Sequence, residues 1–303
     1  MSPSDQPGAK KWAIGVELAP DHLGPVCFAA SLAEQVPEDL IVGLHVLPNA
    51  ALLHPLLGRG EAKQLREAAR DNVAELMTKR GLAHERTRVE LVEDDAVEQG
   101  LSEGAERLGV DALLVGRRAR RDDDPIIRLG EVTRRLLRRL PVPVIVVPPD
   151  FGDADDRGLG EGPVICGVDL SEHCKPALRF AAGLAARLGR PLLLAYGTQT
   201  FSWGVSYVPP ATMERLQAQT REVADGELSA WLEGLEFEVG EHRQEVFMGD
   251  PARQLLQLAL DEDAALIVTG SRLLGPVERL FIASVGTEVA AAASCPVAVV
   301  PGA

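Results

Sequence analysis

The segment PVIVVP, Pro143–Pro148, returns 153 residues later as PVAVVP, Pro296–Pro301. Two more segments return in the same order and at nearly the same distance: IGVEL at Ile14–Leu18 as CGVDL at Cys166–Leu170, and DALLVG at Asp111–Gly116 as AALIVTG at Ala264–Gly270. Three matches at a nearly constant offset indicate an internal repeat. The sequence therefore predicts two copies of one domain, at residues 1–149 and 163–303, joined by a Gly- and Asp-rich linker at residues 150–162.

Each copy alternates short apolar segments with longer amphipathic ones. The predicted strands lie at about 11–18, 40–47, 87–92, 111–116 and 142–147, and at about 163–169, 191–196, 237–247, 264–269 and 296–301. The predicted helices lie at about 23–36, 60–80, 96–108 and 126–140, and at about 173–189, 211–233, 251–262 and 283–294. Strict alternation of strand and helix predicts right-handed crossovers, and hence an α/β fold with a doubly wound, five-stranded parallel sheet in each copy.

The last strand of each copy is strongly apolar and is bracketed by prolines. An exposed strand of this kind would promote aggregation. We therefore expect the two last strands to lie side by side, with a pseudo-twofold axis relating the two sheets as an intrachain pseudo-dimer. The alternative is that each last strand is an internal strand covered within its own copy.

Composition excludes several classes of protein. The 303 residues carry a formal net charge of -14, whereas nonspecific nucleic-acid binding requires a surplus of Lys and Arg to displace counterions from phosphates. The charge-free C-terminal segment Val289–Ala303 is too short for a membrane span, and the N-terminal segment lacks the pattern of a signal peptide. We therefore expect a cytoplasmic protein with no nucleic-acid or membrane partner.

The four cysteines form no CxxC pair, which argues against a zinc or dithiol redox site, and we expect no metal site. Cys166 and Cys295 lie in apolar segments and are predicted to be core thiols. Nine arginines cluster in the first copy, and we expect them to cover a solvated helix face and its preceding loop; an anion or partner site is the alternative. They are Arg117, Arg118, Arg120, Arg121, Arg128, Arg134, Arg135, Arg138 and Arg139.

A doubly wound sheet binds ligands beyond the carboxyl ends of its strands, where the strand order reverses. In the second copy, the strand ending at Gly270 leads through a loop to a helix predicted to begin within ASVGT, Ala283–Thr287. The N-terminus of a helix favours a phosphate, because its backbone N–H groups and dipole face the anion. Ser284 and Thr287 would add hydroxyl donors to this position, and Arg272 would neutralise charge.

Asp169 follows the first strand of the second copy, so the sheet should present it beside the same crevice. A carboxylate there can accept from the amino group of a base or from a ribose hydroxyl. The alternative for both positions is structural, with Ser284 as the N-cap of its helix and Asp169 capping the helix after it.

These motifs resemble those of a tandem universal stress protein. The segment GVDLSE, Gly167–Glu172, matches the V-D-x-S of that family, Gly249-Asp250-Pro251 matches its G-[DN]-P, and Cys295-Pro296-Val297 matches its final strand. The resemblance implies a Rossmann-like fold of the adenine nucleotide alpha hydrolase type, and ATP or another adenine nucleotide as ligand. The residues it assigns to nucleotide binding in the second copy are Gly167, Asp169, Gly270, Arg272, Ala283, Ser284, Val285 and Thr287.

Both copies depart from the family's nucleotide motif, G-x2-G-x9-G-[ST]. In the second copy, Leu273 and Ala283 replace two glycines, while Gly270 and Ser284 are retained. In the first copy, Glu131 stands at the serine position, where its carboxylate would repel a phosphate about 4 Å away by roughly 4 kcal/mol before screening. We therefore expect the second copy alone to bind a nucleotide.

The function that the resemblance implies is that of a stress-response protein. A ligand-free scaffold for protein interactions, with both pockets degenerate, is the alternative; its contacts would come from the apolar loops at residues 49–60 and 198–210, and a homodimer is compatible with either role. The sequence has no GxxxxGK[ST] and no GxSxG motif, which leaves at most weak ATP hydrolysis as an enzymatic activity.

Restoring both glycines should strengthen nucleotide binding. The double substitution Leu273→Gly and Ala283→Gly removes two side chains from a loop whose backbone must approach phosphate, and the gain should be roughly 1–3 kcal/mol, or about tenfold to a hundredfold in affinity. Loss of chain entropy at each new glycine offsets about 0.5–1 kcal/mol of this gain. Calorimetric titration with ATP measures the change; unchanged affinity in a normally folded double variant would show that these side chains do not limit binding.

Overall fold

The structure, a computed structural model, describes eight stretches of the chain. They are residues 8–18, 23–48, 59–82, 85–117, 129–152, 158–198, 209–271 and 284–302. The predicted partner loops at 49–60 and 198–210 fall mostly outside these stretches. None of the helices in the described stretches combines the length and the apolar composition that a membrane crossing requires.

The chain forms two compact units. The first comprises Met1–Leu159 together with Ala290–Val299, and the second comprises Gly160–Val289 together with Val300–Ala303. The last helix and the last strand of the chain are therefore divided between the units.

The first unit contains five parallel strands: β1 (Lys11–Gly15), β2 (Leu40–Leu47), β3 (Thr87–Glu93), β4 (Ala112–Gly116) and β5 (Val144–Val147). Its helices are α1 (Gly24–Gln35), α2 (Arg59–Lys79), α3 (Val97–Leu108) and α4 (Glu131–Arg139). The strand order is β3-β2-β1-β4-β5, and each neighbouring pair is parallel. The order reverses between β1 and β4, as in a doubly wound sheet.

The second copy, residues 163–303, repeats this arrangement. Its strands are β6 (Val164–Val168), β7 (Leu192–Thr198), β8 (His242–Met248), β9 (Leu266–Ser271) and β10 (Val297–Pro301). Its helices are α5 (Lys175–Leu188), α6 (Pro210–Glu233), α7 (Pro251–Asp261) and α8 (Val285–Ala292), with a short 3-10 turn at Glu172–Cys174 before α5. The order is β10-β9-β6-β7-β8, and β6 is parallel to both β7 and β9. The predicted α/β class with parallel, doubly wound strands is confirmed.

The two last strands pair, as the sequence predicts. Within the first unit, Val297 and Val299 of β10 lie opposite Val146 and Val144 of β5 in an antiparallel register. All four side chains are buried. The pairing removes an exposed apolar edge from each strand.

Strand burial explains why these segments are so apolar. Leu113 and Leu114 of β4, like Ile267 and Val268 of β9, are fully buried although successive side chains point to opposite faces of the sheet. Helices must therefore cover both faces. Helix α5 shows the complementary pattern, with a buried stripe repeating every three or four residues: Ala177, Leu178, Ala181, Leu184, Ala185 and Leu188.

Several predicted boundaries are wrong by a few residues. The strand predicted from residue 237 begins only at His242, after Gly240 at φ 77°. The helix predicted from residue 126 begins at Glu131, and the one predicted from residue 173 begins at Lys175 after the 3-10 turn. Alternation of apolar residues marks where a segment is buried, whereas turns and caps determine where it begins.

Loss of the N-cap of α7 should lower stability. The carboxylate Oδ1 of Asp250 accepts a hydrogen bond of 2.8 Å from the backbone N–H of Arg253. We expect Asp250→Ala to lower the free energy of unfolding by about 1 kcal/mol, and Asp250→Asn, which retains an acceptor, by only a few tenths. Urea denaturation followed by circular dichroism measures both; equal losses would show that the cap is not what this side chain contributes.

Candidate functional site

The carboxyl ends of β6, β7 and β9 surround a cavity of about 550 Å³ in the second unit. Strand β6 lies between β7 and β9; the connection after β6 leads towards β7, whereas the one after β9 leads away towards β10, so a crevice opens where the order reverses. The N-terminus of α8 completes the wall through Ser284 and Val285. The volume is typical of small-molecule sites, which measure about 300–1,000 Å³.

Glycines let the elements around the cavity approach closely. A Cβ on Gly197 would lie 2.6 Å from the ring of Phe247, and one on Gly167 would lie 3.0 Å from Leu255. A Cβ on Gly270 would make ordinary contacts with the backbone of the 3-10 turn, the nearest at 3.4 Å from the carbonyl oxygen of His173. Gly197 therefore allows Phe247 to lie across β7, and a side chain at that position would displace the ring.

Asp169 is held in a local turn at the end of β6. Its Oδ1 accepts hydrogen bonds from the backbone N–H of Ser171 at 3.1 Å and from the Ser171 hydroxyl at 2.6 Å. Leu170, between them, has φ 58°, which is the left-handed region. The carboxylate thus follows the first strand and lines the cavity, as predicted. Both of these hydrogen bonds come from Ser171, the residue that directly precedes the 3-10 turn Glu172–Cys174.

Ser284 caps α8. Its hydroxyl oxygen accepts from the backbone N–H of Thr287 at 3.2 Å and lies 2.8 Å from the Thr287 hydroxyl. The N-cap role that the sequence left open is therefore present. It does not remove the anion-binding character of the helix end, because the amides of Val285 and Gly286 also belong to the first turn, where N–H groups have no acceptor within the helix.

Five of the eight predicted residues come together around this cavity. Gly167, Asp169, Gly270, Ser284 and Val285 line it. Thr287 lies in the first turn of α8, where its hydroxyl contacts that of Ser284, and it is not among the residues that line the cavity. Arg272 and Ala283 lie outside the described residues, as does Leu273.

Two threonines in the cavity wall were not predicted from the sequence. Thr198 ends β7 and Thr269 lies near the end of β9, and both line the cavity. The hydroxyl oxygen of each is buried and has no hydrogen-bond partner within the described protein. A buried polar group without a partner is costly, by about 1–3 kcal/mol. The sequence feature that could have identified them is their position at the ends of predicted strands, which for Thr269 is directly before Gly270.

The cavity wall also contains a neutral thiol. Burial is the main cause that raises the pKa of the Cys174 thiol to about 12, and Cys174 lines the cavity. Burial likewise raises the pKa of the fully buried Cys166 well above its usual value. Cys166 is thus the core thiol that the sequence predicts, whereas Cys295 is only half-buried. In the described part of the chain, no cluster of three or more His, Cys, Asp or Glu side chains is arranged to hold a metal ion.

In the first unit, side chains of the protein occupy the corresponding helix end. The hydroxyl of Thr133 donates to the carbonyl of Gly116 at 2.8 Å and ties α4 to the end of β4. Glu131, at the first position of α4, forms an ion pair with Arg135, and Arg135 also pairs with Glu98 at 2.6 Å. A carboxylate of the chain therefore lies at the helix end where the second unit presents a serine.

The predicted basic surface is only partly exposed. Arg134, Arg138 and Arg139 are exposed on α4. Arg117 is buried, with 8% of its surface exposed, so its assignment to a solvated surface was wrong. Its Nη1 donates to the carbonyls of Ala291 and Ala293 at 3.1 and 2.7 Å. A cation suits the C-terminal end of α8, where the last carbonyl groups have no N–H donor within the helix.

The family model and the curated relatives that match this chain are all universal stress proteins. A sequence model described as the universal stress protein family matches residues 11–148 and 162–301. A universal stress protein of Mycobacterium tuberculosis is 30% identical over 171 residues, which are 56% of this chain and 55% of that protein. The chain thus spans about half the length of this curated relative.

A solved structure shares the fold over nearly the whole chain. A universal stress protein from Archaeoglobus fulgidus matches with a TM-score of 0.64 and 18% identity over 96% of this chain and 98% of its own. Another solved universal stress protein, in complex with cAMP, matches 46% of this chain and 97% of its own, with 22% identity and a TM-score of 0.31.

The thiol in the cavity wall should resist alkylation. With a pKa of about 12, Cys174 is ionised in only about one molecule in 10⁴ at pH 8, and the thiolate is the nucleophile. We expect iodoacetamide at pH 8 to modify the half-buried Cys27 and Cys295 well before Cys174 and Cys166. Peptide mass spectrometry over time gives the order, and early labelling of Cys174 would contradict the burial that raises its pKa.

Proposed function

The chain belongs to the universal stress protein family, and we propose that it is a stress-response protein whose second copy binds an adenine nucleotide. The proposed site is the cavity at the ends of β6, β7 and β9. The observation that supports it most is that Gly167, Asp169, Gly270, Ser284 and Val285, which the family resemblance assigns to one ligand, line one cavity of about 550 Å³.

The phosphates would lie at the N-terminus of α8. The first-turn amides of Val285 and Gly286 supply donors there, and the helix dipole favours an anion by about 0.3–1 kcal/mol at an exposed position. The hydroxyl of Ser284 already accepts from the Thr287 amide, which fixes its oxygen at the cavity wall and leaves its proton for an acceptor such as Thr287 or a phosphate oxygen.

The base or the ribose would lie at Asp169. One oxygen of this carboxylate accepts from Ser171 twice, and a carboxylate offers about four acceptor sites in total. The two contacts orient the carboxylate at the cavity wall. A donor such as an exocyclic amino group or a ribose hydroxyl would add a hydrogen bond to it.

The first copy contributes no nucleotide site in this proposal. Glu131 places a carboxylate at the N-terminus of α4, and the ion pair with Arg135 holds it there. The helix end that would attract a phosphate is thus already balanced by an anion of the protein itself. Removing that carboxylate frees a helix end, but Thr133 still ties α4 against the carbonyl of Gly116.

Calorimetric titration of the full chain with ATP, ADP and AMP tests the proposal. Asp169→Ala should weaken binding about tenfold by removing a charged acceptor. Ser284→Glu should weaken binding tenfold or more, because a carboxylate about 4 Å from a phosphate repels it by roughly 4 kcal/mol before screening. Glu131→Ala should leave the affinity unchanged.

The matched control is Ser229→Glu, which makes the same substitution at an exposed position of α6 away from the cavity. It should bind as the parent chain does. If Glu131→Ala changes the nucleotide affinity and Ser284→Glu does not, the nucleotide site lies in the first copy and the proposal is wrong. If no nucleotide binds the parent chain, the ligand-free interaction scaffold becomes the better account.

A further inference from the structure

A second cavity, of about 580 Å³, lies between β7 and the long helix α6. Its wall includes Tyr196 and Thr198 from β7, and Leu216, Thr220, Val223 and Glu227 from α6. It shares Asp169, Gly197 and Thr198 with the cavity at the end of β6. The two cavities are therefore neighbours, and the proposed nucleotide site does not use the α6 side.

The charged side chains that line this second cavity are negative. Asp169 and Glu227 both line it, and no Lys or Arg stands among the described residues of its wall. Burial raises the pKa of the Tyr196 hydroxyl, and the negative charges of Glu227 and Asp169 and the hydrogen bond to Glu227 raise it further. The potential at Tyr196 is thus negative. A cation would be stabilised there, whereas a phosphate or a carboxylate would be repelled.

Apolar side chains stand beside these carboxylates. Leu216 and Val223 are seven residues apart on α6, which is two helical turns, and they are 37% and 62% exposed. Both border the same cavity. The wall therefore offers a hydrocarbon surface next to a negative charge, a combination that suits a molecule with an apolar body and a cationic end.

We propose that this cavity is a binding site for a small organic amine. The ammonium group would lie beside this pair, in contact with both the Glu227 carboxylate and the hydroxyl oxygen of Tyr196, which is 3.3 Å from Oε2 of Glu227. The Tyr196 hydroxyl donates to Glu227, and its oxygen accepts from the ammonium. The hydrocarbon part would contact Leu216 and Val223. This proposal stands independently of nucleotide binding.

Three probes that differ mainly in charge test the proposal: 2-phenylethylamine, 2-phenylethanol and 3-phenylpropionate. The chain contains only two tyrosines, Tyr196 and Tyr207, so the protein with isotope-labelled tyrosine gives two ring signals, and Tyr196→Phe assigns them. We expect the amine to shift the Tyr196 signal saturably. The alcohol should bind at least tenfold more weakly, and the propionate should give no saturable shift. Equal affinity for all three probes, or no saturable shift with millimolar amine, would overturn the proposal.

Two variants with the same change of charge locate the amine. Glu227→Gln removes the carboxylate of the cavity while keeping its size, and it should weaken the amine about tenfold. Glu222→Gln makes the same change on the same helix at an exposed residue outside the cavity wall, and it should have little effect. If both variants weaken amine binding equally, the amine is attracted by the overall negative charge of the protein and the proposed site is wrong.

A third variant separates this proposal from the nucleotide site. Ser284→Glu should weaken nucleotide binding tenfold or more and leave the affinity for the amine within about twofold, because Ser284 does not line the second cavity. Loss of the amine shift in Ser284→Glu, with normal circular dichroism, would mean that the amine occupies the first cavity, and this would overturn the proposal.

Discussion

Burial of parallel strands on both faces is the constraint on which the rest of the second unit depends. Val164 and Ile165 of β6, like Leu266 and Ile267 of β9, are fully buried although they point to opposite faces. Such strands cannot carry polar side chains along their length without a partner for each one. Polar groups are therefore confined to the carboxyl ends, and parallel pairing brings these ends to the same edge. The gathering of Asp169, Thr198 and Ser271 follows from pairing alone, before any ligand is considered.

The two copies differ at the carboxyl edge of the sheet by a few side chains at the start of one helix. The fold and the strand order are the same in both, but the helix after the fourth strand begins with Glu131 in the first copy and is capped by Ser284 in the second. The next difference reinforces the first. Thr133 fixes α4 to Gly116 through its hydroxyl, whereas the corresponding residue of the second copy is Gly286, which has no side chain to close the gap. In the first copy, a carboxylate of the chain itself lies at the positive end of the helix dipole. In the second copy, the corresponding helix end borders a cavity.

The sequence predicts the elements of this fold better than it predicts the details of the site. Repetition and apolar runs were sufficient for the class, the parallel order and the pairing of β5 with β10, because these depend on burial of whole segments. Arg117 was misassigned because it begins a run of charged residues in the sequence, while its own partners are the distant carbonyls of Ala291 and Ala293. The buried hydroxyls of Thr198 and Thr269 were missed for a related reason. A threonine is common in a strand for its β-branched shape, so only the position of its oxygen in three dimensions marks it as part of a site.

The position of Asp169 links the two cavities, and its geometry has a conformational cost. Leu170 adopts φ 58°, which costs a residue with a side chain roughly 1–2 kcal/mol. The two hydrogen bonds from Ser171 to Oδ1 offset this cost, since bonds to a charged acceptor are worth about 1.5–3 kcal/mol each. The turn therefore exists because the carboxylate and Ser171 stabilise it together, and the same contacts fix where the carboxylate lies. A single oriented charge at the border of both cavities favours donors in each of them. The N-terminus of α8 adds a site for negative charge to the first cavity alone, and Glu227 adds a second negative charge to the other. The two cavities thus share one carboxylate and differ in the group that accompanies it, which is a helix N-terminus in the first cavity and a second carboxylate in the other.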